Sequence, residues 1–187
     1  MRIISGNFRG KKILEPKDKS TRPLKDLTKE ALFNIILHSN KFKLKIKDAS
    51  ILDMFSGVGS FGLECLSREA LKVTFVENYK KVLPILRKNI SNLNCLEKSE
   101  ILEKDAYKQL NLNNLVSKFD IIFMDPPYKE KFLPELLKKI LEANILNKEG
   151  IIIIHRHKNE NDKFHTFFNV IEEKNYGISK IIFGKFF

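Results

Sequence analysis

Cysteine is scarce in this chain, and long apolar runs are missing. Only Cys65 and Cys95 occur among 187 residues. They form no Cys-x-x-Cys pair, which excludes a disulfide framework, and each reads as a small hydrophobe in a helical segment. The apolar runs are short, as at Ile151 to Ile154, and none approaches the roughly 20 residues a membrane span needs. The opening Met1-Arg2-Ile3-Ile4-Ser5-Gly6 has no apolar stretch of signal-peptide length. There is no internal repeat and no low-complexity tract. The expectation is a cytoplasmic, monomeric protein with no membrane partner, built as one α/β domain with a small appendage.

Acidic residues are outnumbered, 23 against 34 basic ones, for a formal net charge of +11. A surface of that sign attracts a polyanion through screened, sequence-independent forces. The chain is also rich in Lys, Asn and Ile, a bias that raises the charge with no polyanionic partner at all. Charge alone therefore does not decide for nucleic acid. The hydrophobic share of 43% is ordinary and suffices for a core at this length.

The pattern divides into a leading piece, residues 1–45, and a β/α alternation over residues 46–187. In the leading piece, Ile3-Ile4 and Ile13-Leu14 flank the glycine-punctuated basic loop Gly6-Asn7-Phe8-Arg9-Gly10-Lys11-Lys12, which reads as a β-hairpin or an extended arm. Leu24, Leu27, Ala31, Leu32, Ile35 and Ile36 then recur at helical spacing behind Pro23. Lys41 to Asp48 is a lysine-rich linker. Strands are predicted at 51–55, 73–77, 101–102, 119–124, 151–154, 170–171 and 178–183, with helices at 62–68, 82–93 and 133–141. Pro84 and Pro134 suit first turns. Strands alternating with helices predict a mostly parallel sheet covered on both faces, and the last pair, joined around Gly177, should be antiparallel.

The first predicted strand runs straight into Asp53-Met54-Phe55-Ser56-Gly57-Val58-Gly59-Ser60-Phe61-Gly62. Glycines such as Gly57 and Gly59 let the backbone turn tightly and let a ligand come close. That string alone suits NAD equally well. Asp53 ahead of it favours a cationic ligand over a pyrophosphate, because a carboxylate at a strand end can hold an ammonium directly or through water. Glu77 closes the second predicted strand, where a carboxylate can accept both hydroxyls of a ribose. Asp105 follows the third, placed for an adenine amino group beside the backbone of Ala106. Glu77 or Asp105 taken singly is as readily a solvated loop carboxylate. Three acids after three successive strands describe a ligand with an ammonium, a ribose and an adenine.

Asp125-Pro126-Pro127-Tyr128 follows the fourth predicted strand. A rigid turn would explain the prolines but not their neighbours. The chemistry of an exocyclic amino group explains all four. Its lone pair is delocalised into the base, which makes it a poor nucleophile. Asp125 and the carbonyl of Pro126 can accept its two hydrogens and draw the nitrogen towards tetrahedral geometry. The prolines fix the backbone that presents the carbonyl, and Tyr128 can stack on an unpaired base. Transfer to that nitrogen is an in-line displacement governed by positioning. The proton can leave afterwards, so neither a strong base nor a metal is required.

The glycine loop and the tetrad, in this order, resemble the class I amino-methyltransferases. Arg2-Ile3-Ile4-Ser5-Gly6-Asn7-Phe8-Arg9-Gly10-Lys11, Thr21-Arg22-Pro23, Glu30-Ala31-Leu32-Phe33-Asn34, Gly62-Leu63-Glu64-Cys65-Leu66-Ser67-Arg68 and Tyr176-Gly177 resemble the RsmD-type 16S rRNA (guanine-N2)-methyltransferases over nearly the whole chain. The resemblance implies a Rossmann-like fold with a seven-stranded, mostly parallel sheet, an antiparallel last strand and a small N-terminal hairpin and helix extension. It implies S-adenosylmethionine as cofactor, on Asp53, Gly57, Gly59, Glu77, Asp105 and Ala106. It implies methylation of guanine N2 by Asp125, Pro126, Pro127 and Tyr128. The partner implied is 16S rRNA, in the small ribosomal subunit or an assembly intermediate, gripped by Arg2, Arg9, Lys11, Lys12 and Arg22 of the leading piece. The tetrad serves DNA adenine or cytosine amino-methyltransferases equally, although no sequence-recognition domain is evident. A nucleic-acid-binding protein without catalysis would not need the complete tetrad, and an NAD enzyme would not place Asp53 before the glycines. One departure stands out. Such enzymes often carry an acidic residue after the fifth strand, where this chain has His155-Arg156-His157, with His165 near in sequence. These histidines are expected to be solvated or RNA-facing rather than metal ligands.

Overall fold

Strands buried on both faces are written as unbroken apolar runs, and three such runs form the middle of the sheet: β1 (Ser50–Met54), β4 (Phe119–Met124) and β5 (Leu146–His157). The computed structural model describes residues 1–16, 26–115, 117–127, 130–164 and 166–187. Among them β2 (Lys72–Val76), β3 (Ser99–Leu102), β6 (Phe168–Tyr176) and β7 (Ser179–Phe186) complete a seven-stranded sheet in the order β3-β2-β1-β4-β5-β7-β6. The pairs from β3 across to β5 are parallel, whereas β7 runs antiparallel to both of its neighbours.

Alternate residues of each strand feed opposite cores. Ile51, Ile121, Ile151 and Ile153 face a cluster that includes α1 (Asp26–His38), α2 (Ser60–Ser67) and α3 (Leu83–Asn92). Leu52, Ile122, Ile152 and Ile154 face the other cluster, with Leu133, Leu136, Leu137 and Ile140 of α4 (Leu133–Glu142). Gly62 lies inside α2 because a Cβ there would meet the Phe75 ring at 2.4 Å, so only glycine lets this helix lie so close to β2. No helix of the described residues is long and apolar enough to cross a membrane.

The N-terminal arm is anchored to this frame. Its two limbs pair as a short hairpin, with an antiparallel Arg2–Lys12 bridge and the amides of Ile3, Gly10 and Ile13 donating across it to the carbonyls of Lys11, Ile3 and Met1. Ile3 and Ile13 are buried in the same cluster as Phe33 and Phe61. The Glu64 carboxylate on α2 accepts the amides of Ile4 (2.8 Å) and Ser5 (3.0 Å). It also pairs with Arg68 and, at 3.6 Å, with the fully buried Lys29 of α1. Burial lowers the Lys29 pKa, and the Glu64 charge opposes that shift. The second limb is held through Asn89 of α3, which exchanges hydrogen bonds with the backbone of Leu14 and also donates to the Val58 carbonyl in the glycine loop.

β5 and β6 exceed their predicted spans the most. β5 begins five residues before Ile151, in a stretch where Lys148 and Glu149 are exposed, and β6 is an edge strand carrying Glu172, Glu173, Lys174 and Asn175. Apolar periodicity cannot register residues that are held in a ladder by backbone bonds but face water. Cys95 sits in the turn after α3 rather than in a helix, and both cysteines are buried free thiols.

Candidate active site

The chain leaves β1 for β2 on one side and, after β3, returns to β4 on the other. The crevice at the carboxyl ends of β1 and β4 is therefore the switch point where open α/β sheets take their ligands. Asp53 sits one residue from the end of β1 and is 1% exposed. Its Oδ2 accepts the Gly62 amide at 2.9 Å, while Oδ1 is buried without a partner among the described residues. Burial, aided by the charges of Asp125 and Glu77, pushes its carboxyl up to about 8 against the pull of the Gly62 amide. Such an orphaned acceptor fits a cationic donor.

The turn that follows is strained where it meets the crevice. Phe55 adopts φ 60 without being glycine. Gly57 and Gly59 have φ 54 and 85, and a Cβ on Gly57 would meet nothing within 4 Å, so the backbone there opens onto free space. Glu77 follows β2 directly. It accepts the Gly57 amide on Oε2 at 2.7 Å and the Asn78 and Tyr79 amides on Oε1. A carboxylate has about four acceptor sites. Three are filled, so Glu77 retains room for one direct hydroxyl rather than the two expected. Asp105 accepts the amides of Tyr107 and Lys108 on Oδ1 and the Asn78 side chain on Oδ2 at 3.0 Å, and Ala106 beside it is buried.

Asp125 begins where β4 ends, and its amide lies 3.4 Å from the Met54 carbonyl, so the tetrad starts against the strand that carries Asp53. Pro126 is buried and Pro127 exposed. Tyr128 lies outside the described residues, as do Arg22 and His165. The histidine expectation needs correction. His155 is 3% exposed, neither solvated nor RNA-facing, and its Nδ1 is 2.8 Å from Asp125 Oδ1. Arg156 is 1% exposed and bonds the carbonyls of Pro127 and Glu130. The reason is register. β5 continues to His157 against β7, so this segment ends a central strand instead of opening a loop. His157 is half-buried, and its Nδ1 accepts the Asn159 amide. Among the described residues no group of three or more His, Cys, Asp or Glu side chains could hold a metal ion.

Sequence reasoning also missed an aromatic row. The Phe55 ring lies 5.1 Å from Tyr107, which meets Phe132 edge-on at 6.0 Å. Burial raises the Tyr107 phenol above its ordinary range, with Glu130 adding to the shift. The signal was present as an aromatic shortly after each of the β1 and β3 ends, but only packing joins them. In the arm, Arg2, Arg9, Lys11 and Lys12 are exposed, and Lys11 lies over the Phe8 ring at 5.1 Å.

Residues 1–185 match a family model described as Conserved hypothetical protein 95. The chain is 32% identical, over 95% of its length and 90% of the relative's, to a Haemophilus influenzae protein named Ribosomal RNA small subunit methyltransferase D. The protein of that name from Escherichia coli K12 is also 32% identical, over 82% of this chain and 73% of its own. A solved structure of an Escherichia coli protein provisionally assigned as a methyltransferase superposes with a TM-score of 0.80 at 27% identity, covering 98% of this chain and 96% of that one.

Proposed function

Since the chain belongs to the Conserved hypothetical protein 95 family, that of the ribosomal RNA small subunit methyltransferases D, we propose that it transfers a methyl group from S-adenosylmethionine to the exocyclic N2 amino group of a guanine in 16S rRNA. The observation that carries this reading is the meeting of Asp125 with the end of β1, which sets an amino-group acceptor beside the orphaned Asp53 oxygen and the open glycine turn.

S-adenosylmethionine supplies an electrophilic methyl on a sulfonium. The residues around the crevice divide its recognition. Asp53 Oδ1 takes the ammonium, which satisfies a buried acceptor that is otherwise costly. The Gly57 and Gly59 turn allows close approach. Glu77 takes a ribose hydroxyl on its remaining acceptor site, and Asp105 with the Ala106 backbone takes the adenine edge. Asp125 and the Pro126 carbonyl receive the two amino hydrogens of the guanine. The carbonyl accepts no hydrogen bond among the described residues, so both acceptors are available. Tyr128 stacks on the base. The arm residues Arg2, Arg9, Lys11, Lys12 and Arg22 hold the RNA backbone of the small subunit or an assembly intermediate of it, with the protein acting as a monomer.

The test is incubation with labelled S-adenosylmethionine and undermethylated 16S rRNA, naked or as 30S particles, followed by nucleoside analysis. Label in N2-methylguanosine is expected. Label in another nucleoside, or only in DNA, overturns the assignment. Asp125→Ala is expected to bind S-adenosylhomocysteine within about twofold of wild type while turnover falls by about 100-fold or more, because the lost bond matters most in the transition state. Equal loss of binding and turnover would place Asp125 in the cofactor pocket instead.

A further inference from the structure

Two consecutive side chains at the end of β5 reach the segment that holds the tetrad, and neither was placed there by the reading of the sequence. His155 contacts the Asp125 carboxylate at 2.8 Å. Arg156 donates from Nη1 to the Pro127 carbonyl at 3.3 Å and from Nη2 to the Glu130 carbonyl at 3.1 Å. Its charge is met by Asp162 through a two-pronged pair, Nε to Oδ2 at 2.8 Å and Nη2 to Oδ1 at 3.0 Å. A guanidinium this deeply buried is costly unless paired and fully bonded. Here Asp162 pairs it, Glu160 lies 3.7 Å from Nη2, and two further donors go to the loop backbone.

We infer that the end of β5 is a clamp on the tetrad, with His155 the positioning residue of the Asp125 carboxylate and Arg156 that of the backbone that follows it. This rests on the proposed methyl transfer to an amino group. An ionised Asp125 can only accept, so His155 Nδ1 carries the hydrogen and donates. That bond fixes the rotation of the carboxylate plane and occupies Oδ1. Oδ2, which accepts no hydrogen bond among the described residues, is left for the amino group. The Pro126 carbonyl lies between Asp125 and Pro127, which are held by the two clamp residues. Both acceptors of the amino hydrogens are therefore set before substrate arrives. Misplacing a reacting group by about 1 Å costs on the order of 100-fold in rate.

The experiment compares His155→Leu, which fills the space without a donor, with His155→Asn, whose amide nitrogen falls near the place of Nδ1. His155→Leu should lower kcat by roughly 10- to 100-fold. The KM for RNA, the Kd for S-adenosylhomocysteine measured by calorimetry and the melting temperature should stay close to wild type. His155→Asn should recover most of kcat. An active wild type with an unaffected His155→Leu overturns the clamp alone. Equal defects in the two variants overturn the donor role, and a parallel loss of cofactor affinity and fold shows His155 to be merely structural. A wild type that methylates no guanine overturns the underlying reading, and the clamp with it.

Discussion

Asp53 illustrates how burial and function meet in one carboxyl. In the unfolded chain it ionises near 3.8, whereas in the fold, before any ligand, it holds its proton up to about 8. The fold therefore binds more proton than the unfolded chain between those values, and this residue's contribution to stability is lost as pH rises from about 4 to about 8. A cationic ligand reverses the preference, because it favours the ionised form. Cofactor affinity should rise between pH 6 and pH 8, by at most about tenfold per pH unit, and level off above. Calorimetry at pH 7 in two buffers of different ionisation enthalpy should detect proton release on binding. Asp53→Asn should abolish that release. Affinity that is flat across this range would show that Asp53 does not meet the ammonium.

At the scale of elements, α2 serves two sites at once. Its first residues follow the glycine turn, and its Glu64 and Ser67 form the socket for the arm. Gly6 has φ 81, and a Cβ there would lie 1.9 Å from the Ser67 carbonyl oxygen. Gly10 has nearly the same φ, 82, but nothing within 4 Å. Gly10→Ala should therefore cost only the backbone strain of about 1–2 kcal/mol. Gly6→Ala should cost clearly more, by about 2 kcal/mol or by undocking of the arm. Urea unfolding of the pair separates the two effects. Equal destabilisation would mean that the arm does not sit in this socket.

For the whole molecule, the excess positive charge is the longest-ranged feature. Arg9, Lys11 and Lys12 project from an arm whose Ile3 and Ile13 are buried and whose backbone is bonded to α2 and α3, so their exposure is imposed by the docking. Phosphate contacts release counterions, and affinity falls steeply with salt. Replacing the three by Ala should weaken RNA binding and flatten the salt dependence while S-adenosylhomocysteine binding is unchanged. If the triple variant keeps both its RNA affinity and its salt slope, the arm is a structural brace and the RNA is held elsewhere.

What could be read from the chain alone was whatever is local. β1, β4 and the middle of β5 are legible because burial on both faces makes nearly all of their inner residues apolar. The glycine turn is legible because positive φ selects glycine, and Asp53, Glu77 and Asp105 because strand ends recur with the β/α repeat. The contacts between distant residues were not legible. Asp125 and His155 are 30 positions apart, Ile4 and Glu64 are 60 apart, and no periodicity links either pair. The extent of β6 was hidden for a related reason, since an edge strand is held by backbone bonds that leave no apolar signature. The sequence by itself determined the order of the elements and the chemistry available at the ends of the strands. The tertiary structure alone decided that β5 should run on beside β7, because register is set by the pairing of two strands and not by either one. That register carries His155 and Arg156 to the tetrad.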